Sequence, residues 1–264
     1  MAEEQIQIPK IEIMAGKSVY ANTIEEALEA CQQQKLAPVF MPQLIDARIA
    51  EDDSRAYVWQ NWFTALSIRA AGKTKAGHPV VVYGHVENYL SNPENVRIAK
   101  KHLVNNAAVL PKPEFQRLLD LEDGQAVFVV DYAALKSSTS GVIPVKDALQ
   151  HPQTIPFLGG KERAVRYLEK HEKIYGKKIG VWYSDDLSDE PRGRLLFLGN
   201  DGGDGLSGGN SIDVVARFVG VRRSAVGAEQ ATRPSLEHML KLAEDYVPRA
   251  AQAEYAERAK ALLG

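Results

Sequence analysis

Three apolar runs in this sequence each lead into groups that can do chemistry. Residues 79–83 (Pro-Val-Val-Val-Tyr) run on to His85, 126–130 to Asp131, and 178–183 to Asp185 and Asp186. Runs rich in β-branched or continuously apolar residues read as buried strands. In open α/β sheets, ligands bind beyond the carboxyl ends of the strands. If these strands are parallel and adjacent, the four side chains converge. Clustered carboxylates favour Mg²⁺ or Mn²⁺ and can position a water or a phosphoryl oxygen. On this reading Asp131, Asp185 and Asp186 are metal ligands, and His85, Asp131 and Asp185 form the catalytic set with His85 as acid/base candidate. The competing reading is that Asp and Asn end strands simply because they favour turns.

An anion site is the second candidate. Gly159, Gly160 and Lys161 follow an apolar segment, 154–158, and open a helix, where backbone N–H groups and the helix dipole attract negative charge. Ser138 offers a hydroxyl to the same ligand. It lies in Ser137-Ser138-Thr139-Ser140-Gly141, which resembles the central Ser-Thr-Ser of ADP-ribosyltransferases but lacks their following Glu-x-Glu. Gly16-Lys17-Ser18 and Gly72-Lys73-Thr74 match the end of a Walker A motif, yet Ile11 and Ser67 occupy the positions of its first glycine. There is no Gly-x-Gly-x-x-Gly, hence no NAD motif, and no Gly-x-Ser-x-Gly nucleophile elbow. The histidines lack zinc-site spacing. Tyr183-Ser184-Asp185-Asp186 resembles the Tyr-x-Asp-Asp of reverse-transcriptase palms, with Asp131 in the place of the upstream metal-binding aspartate. A charged, proline-containing stretch at 187–192 replaces the return strand that such a palm requires.

The loop 199–210, Gly-Asn-Asp-Gly-Gly-Asp-Gly-Leu-Ser-Gly-Gly-Asn, holds six of the chain's 20 glycines between strand-like runs at 194–198 and 212–221. Glycine loses more backbone freedom on folding than any other residue, so ordering such a loop is costly. It reads as a mobile hairpin tip, with a lid over a ligand as one alternative. A calcium site is the other: one pass resembles the Gly-Gly-x-Gly-x-Asp calcium repeat. Ca²⁺ ranks behind Mg²⁺ or Mn²⁺ because such sites need stacked copies.

The elements that must position these groups alternate between helix and strand. Thr23 and Glu26 have capping-box spacing and open a helix to about residue 35. Residues 5–14 and 38–41 read as strands. Helices are expected from Asn92-Pro93, from Pro113, at 145–150 and over 160–175. The pattern predicts an α/β fold, a mixed sheet flanked by helices, with a C-terminal hairpin carrying the Gly/Asp-rich loop. Residues 1–230 form one domain, or two packed lobes dividing near 107–112. Residues 231–264 form a helical extension kinked by Pro248.

With 264 residues, 45% of them hydrophobic, the chain can build a substantial core, and a formal net charge of -2 provides no nucleic-acid footprint. Cys31 is the single cysteine, so no intramolecular disulfide forms. The polar, acidic start and the lack of a long apolar run point to a cytoplasmic protein without a membrane partner. Two functional classes follow. One is a metal-dependent enzyme acting on a small, phosphorylated or nucleotide-like ligand. The other is a non-catalytic assembly or protein-interaction component using the glycine loop and the C-terminal helix, the latter as a homo-oligomer contact.

Overall fold

The computed structural model of the chain describes residues 17–222. It begins with β1 (Lys17–Ala21), α1 (Ile24–Gln33), β2 (Leu36–Pro38), α2 (Met41–Ala50), the short α3 (Tyr57–Gln60) and the long β3 (Phe63–Lys73). Then come β4 (Pro79–Gly84), α4 (Pro93–Lys100), β5 (Ala108–Val109), α5 (Lys112–Asp120) and β6 (Val127–Asp131). Next are α6 (Tyr132–Lys136), β7 (Gly141–Pro144), α7 (Val145–Ala148), α8 (Thr154–Leu158) and α9 (Lys161–Tyr175). The described region closes with β8 (Lys178–Tyr183), β9 (Arg192–Leu198), β10 (Leu206–Gly208) and β11 (Ala216–Arg222). The strand expected at 5–14 and the helical extension 231–264 lie outside the described residues.

Local rules explain most boundaries. Thr23 caps α1, its Oγ1 accepting the Glu26 N–H at 3.3 Å, which satisfies a donor the helix itself cannot. The strand expected at 38–41 stops at Pro38. Met41 starts α2 instead, with Pro42 in the first turn, where its missing N–H costs nothing. The apolar segment 154–158 is helix α8, not strand.

Two sheets result. The smaller has the order β1-β11-β2, and the larger, eight-stranded sheet has the order β6-β4-β3-β9-β10-β8-β7, with β5 beside β9. In the larger sheet β8 and β10 are parallel. The pairs β9–β10, β3–β4, β3–β9, β4–β6, β5–β9 and β7–β8 are antiparallel. The α/β class therefore holds, but the parallel arrangement assumed for the strand ends does not. Val80 faces Asp131 and Gly84 faces Val127, so β4 and β6 end at opposite edges of the sheet. β4, β3, β9 and β10 separate β6 from β8. Nor do the runs flanking the glycine loop form a hairpin: β9 and β11 belong to different sheets, and β10 rises from within the loop.

Two apolar clusters cover the faces of the larger sheet. One packs Val81, Tyr83, Val181, Leu196 and Leu198 against Met41, Leu44 and Ile45 of α2, Phe157 of α8 and Tyr167 of α9. The other packs Ile68, Val82 and Leu195 against Ile24 and Leu28 of α1, Val96 of α4 and Phe115 of α5. Cys31 lies in the second cluster as a packed residue, where burial pushes its thiol up to about 11.

A buried ion triad ties the larger sheet to its loops. Arg69 on β3 and Arg194 on β9 are cross-strand partners, and both reach Asp186, just beyond β8. Arg69 Nη1 donates to Asp186 Oδ2 at 2.7 Å, Arg194 Nε to the same oxygen at 2.9 Å, and Arg194 Nη2 to Oδ1 at 2.8 Å. All three side chains are essentially sealed from solvent. Further guanidinium protons serve backbone carbonyls: Arg69 that of Ser184, and Arg194 those of Asn105, Asn106, Gly209 and Asn210, while the buried Arg69 Nε is left without a partner among the described residues. Removing one partner of a buried pair strands the other charge. Asp186→Asn is expected to cost about 3–5 kcal/mol and to lower the thermal midpoint by on the order of 10 °C. The exposed neighbour serves as control, and Asp185→Asn should cost under about 1 kcal/mol. Equal melting temperatures for the two variants would refute the triad's structural role.

Candidate functional site

Register and alternation build a notch on one face of the larger sheet. Ser207 pairs with Trp182 on β8 and with Phe197 on β9, and Phe197 pairs with Thr64 on β3. Val181, Leu206 and Leu198 point into the first apolar cluster. Side chains alternate along a strand, so Trp182, Ser207 and Phe197 project to the opposite face. No residue of β8 or β10 belongs to the apolar cluster on that side, and Trp182 is 38% exposed. The small Ser207 between two aromatic rings leaves an open cavity of about 430 Å³, lined also by Tyr183, Ser184, Asp204, Gly209 and Asn210. Phe197 stacks on Trp62 at 5.2 Å between ring centroids, and Trp62 meets Tyr20 edge-on at 6.2 Å.

A row of glycines shapes the end of the notch. Two residues along the register from Trp182, Ser207 and Phe197, on the same face, stand Gly180, Gly205 and Gly199, where Gly199 N–H donates to Gly205 O at 2.7 Å. A Cβ on Gly180 would sit 1.9 Å from Gly203 O, and one on Gly199 would sit 2.4 Å from Asp204 Cβ. Gly205 has φ +44, in the left-handed region. These bare positions let residues 200–204 lie back over the sheet. Asp201 Oδ1 holds the turn by accepting the N–H groups of Gly203 and Asp204, both at 2.6 Å. Trp182 Nε1 donates to Gly203 O at 2.7 Å, which fixes the indole. The expected hairpin tip is thus half interior strand and half a turn clamped to the sheet.

The residues expected to carry metal chemistry are dispersed. His85 is buried at the far edge of the sheet, with Nε2 2.8 Å from Pro156 O and Nδ1 2.8 Å from Ser67 Oγ. A carbonyl only accepts, so the proton sits on Nε2, and Nδ1 accepts from the Ser67 hydroxyl. Ser67 Oγ in turn accepts the Met41 N–H at 2.7 Å. Burial pushes the His85 pKa down to about 4. The ring is a neutral tie between β3, the end of β4 and α8. Asp131 caps α6 through the Ala134 N–H at 2.9 Å. Asp185 is exposed, accepts the Tyr132 hydroxyl and lies 3.5 Å from Lys136 Nζ. These two contacts, the tyrosine first, hold its carboxyl below the usual range. Asp186 is spent on Arg69 and Arg194. No group of three or more His, Cys, Asp or Glu able to hold a metal ion occurs among the described residues.

The anion cradle is likewise taken up internally. Gly159 N–H bonds Pro156 O at 3.3 Å and Gly160 N–H bonds Ile155 O at 3.0 Å. Gly159 closes α8 with φ +74, and a Cβ there would meet Pro42 Cγ at 2.5 Å. Lys161 is an exposed first residue of α9. Ser138 Oγ donates to Leu135 O at 2.6 Å and lies 3.0 Å from His151 Nε2. His151 Nδ1 accepts the Gln153 N–H at 3.2 Å, so Nε2 carries the proton and cannot act as a base toward Ser138.

No protein-family model matches the chain, and no curated protein does. Among solved structures, one described as "Accommodation of massive sequence variation in Nanoarchaeota by the C-type lectin fold" is 57% identical. The alignment covers 78% of this chain and 97% of that one, with a TM-score of 0.75. The chain belongs to the C-type lectin fold family. This membership and the dispersed carboxylates overturn the metal-dependent, phosphate-binding enzyme read from the sequence. C-type lectin folds often bind Ca²⁺. The loop carboxylates here do not suit it, because Asp201 Oδ1 is occupied by two backbone amides and, among the described residues, no third acidic ligand joins Asp201 and Asp204. Among the described residues no helix is long and apolar enough to cross a membrane.

Sequence reasoning missed Trp182, Phe197 and Ser207. The signal was present as alternation: Ile179, Val181 and Tyr183 mark one face of 178–183, which leaves Trp182 on the other.

Two predictions follow from these contacts. Gly180→Ala should displace residues 200–204 and increase the hydrogen exchange of their amides. Protection equal to that of the unchanged chain would refute the close packing. For His85, the folded pKa lies below the unfolded 6.5, so its stability contribution is complete above pH 6.5 and falls as the pH drops toward 4. The loss should be about 2 kcal/mol between pH 7.5 and pH 5. Urea unfolding of His85→Gln should lack that part of the slope, and an unchanged slope would exclude His85 as its source.

Proposed function

We propose that the chain is a non-catalytic binding protein whose ligand is another protein, contacted through the notch between Trp182 and Phe197. The observation that carries this reading is a partly exposed tryptophan opposite a phenylalanine, with a serine floor between them, in a C-type lectin fold. Aromatic side chains that offer large, rigid contact area dominate protein-recognition energetics. The glycine loop takes part as one end of the notch, in line with an interaction component. The C-terminal helix assigned to self-assembly lies outside the described residues.

The related structure is described as accommodating massive sequence variation, and the frame of the notch suits the same role here. Strand pairing, the glycine row and the ion triad set the backbone at 182, 204, 207 and 210. Of the side chains there, Trp182 and Asp204 are exposed and Asn210 is half-buried, while Ser207 is a buried floor whose Oγ donates to Asn210 Oδ1 at 2.8 Å.

The test randomises positions 182, 204 and 210 in the full chain and pans the display library against a folded protein target. Most clones should unfold cooperatively within about 5 °C of the starting chain, as surface substitutions usually shift stability by no more than about 0.5 kcal/mol. Target-specific binders should emerge. Widespread loss of folding would show that the notch is part of the frame. Glycan-array binding by the unchanged chain that disappears in Trp182→Ala would replace the protein ligand with a carbohydrate.

A further inference from the structure

The notch has a defined chemical complement. Two strand spacings, about 9.5 Å of backbone separation, lie between Trp182 and Phe197. A planar group held between two aromatic faces needs about 7 Å from ring to ring, twice a normal contact distance. Among the lining residues Asp204 is the one side chain charged at neutral pH. Its carboxylate has neither a hydrogen bond nor a salt bridge within the described residues, while Asp201 adds negative charge beside it. Burial, then the charge of Asp201, raises the Asp204 pKa, as expected of a carboxylate that lacks a counter-charge.

The same aromatic stack already holds a cation one ring further on. Phe197 stacks on Trp62, and the guanidinium of Arg217 lies 4.9 Å from the Trp62 ring centroid and 5.5 Å from that of Tyr20. Asn61 Oδ1 accepts from it as the polar partner. The notch repeats this arrangement with one part missing. Two aromatic rings and an oxygen acceptor are present, and no cation among the described residues lines the space. Cations over aromatic faces are attracted by the ring quadrupole, guanidinium groups most often.

We infer that the notch takes the arginine or lysine side chain of a protein ligand, with Trp182 and Phe197 flanking it and Asp204 balancing its charge. This rests on the notch being the binding surface. It adds a rule for which residue the partner presents, and charge complementarity is its basis.

The test uses the full chain, ¹⁵N-labelled, and four capped tripeptides, acetyl-Gly-X-Gly-amide with X as Arg, Lys, Met or Glu. The indole N–H signal of Trp182, assigned by its loss in Trp182→Phe, reports occupancy. The Arg and Lys peptides should shift it saturably, while the Met and Glu peptides should bind at least about fivefold more weakly. Asp204→Asn should weaken the Arg peptide about three- to fivefold, and raising the salt should do the same. Phe197→Leu should weaken it by about threefold with Asp204 intact. Equal binding of the Met and Arg peptides, or no effect of Asp204→Asn, overturns the cation assignment but leaves the notch as a binding surface. If no peptide moves the Trp182 signal while the display library still yields target-specific binders, the cation assignment again fails alone. If the library yields none although its clones fold, the notch itself is refuted as the contact centre.

Discussion

The carboxylate of Asp186 is the constraint on which the described architecture depends. It neutralises one of two guanidinium groups brought side by side by the β3–β9 register. Without it, Arg69 and Arg194 would repel inside a medium that screens charge poorly. With it, they become a platform of directed donors. Arg194 gathers carbonyls from the 105–106 turn and from Gly209 and Asn210, while Arg69 takes that of Ser184. Three chain segments far apart in sequence, none a regular element, are fixed by one charge cluster. Replacing such a cluster with apolar residues is often neutral for stability, so its value here lies in placing loops that have no ladder of their own.

That placement makes the glycine row useful. Glycines at 180, 199 and 205 would be a defect in an ordinary strand face, since they bury nothing and lose much entropy. Here they admit the backbone of 200–204 to van der Waals distance. The resulting turn supplies Asp204 to one end of the notch and an acceptor for the Trp182 indole. The other end, at Gly209 and Asn210, is set by Arg194. The notch is therefore bounded at both ends by backbone that the frame holds, and only its walls and floor are side chains.

Much of this frame was legible in the sequence. The strands at 79–83, 127–131 and 178–183, the Thr23 cap and the helix over 160–175 follow from local patterns that tertiary packing reinforced, although the strand at 127–131, read as covered on both faces, is a half-exposed edge. What could not be read was polarity. Asp131, Asp185 and His85 gather only if their strands run the same way, and the antiparallel β4–β6 pair sends His85 to the opposite edge. Periodicity is identical for parallel and antiparallel strands when both faces are covered, so nothing local could decide it. Asp186 looked like a ligand for the same reason: an aspartate after an apolar strand says nothing about two arginines 117 and 8 residues away. The glycine loop was legible as special but not as strand, because Leu206–Gly208 has too few residues to show a period.

The division between frame and surface would let this fold carry changing contact residues, as proposed. Substitutions of buried aliphatic side chains such as Leu198 or Val181 would cost about 2–5 kcal/mol, a large share of a domain's net stability. Trp182 and Asn210 sit one residue along the same strands or just past them, and alternation moves Trp182 out of that regime. Strand pairing holds the backbone of Trp182 and Arg194 takes the carbonyl of Asn210, while the buried Ser207 hydroxyl ties the floor to Asn210 Oδ1. A surface built on every second residue of paired strands, and terminated by loops pinned from below, can vary in chemistry while its shape is set elsewhere. The buried triad and the glycine row are thus what would keep the proposed recognition at the notch separable from folding.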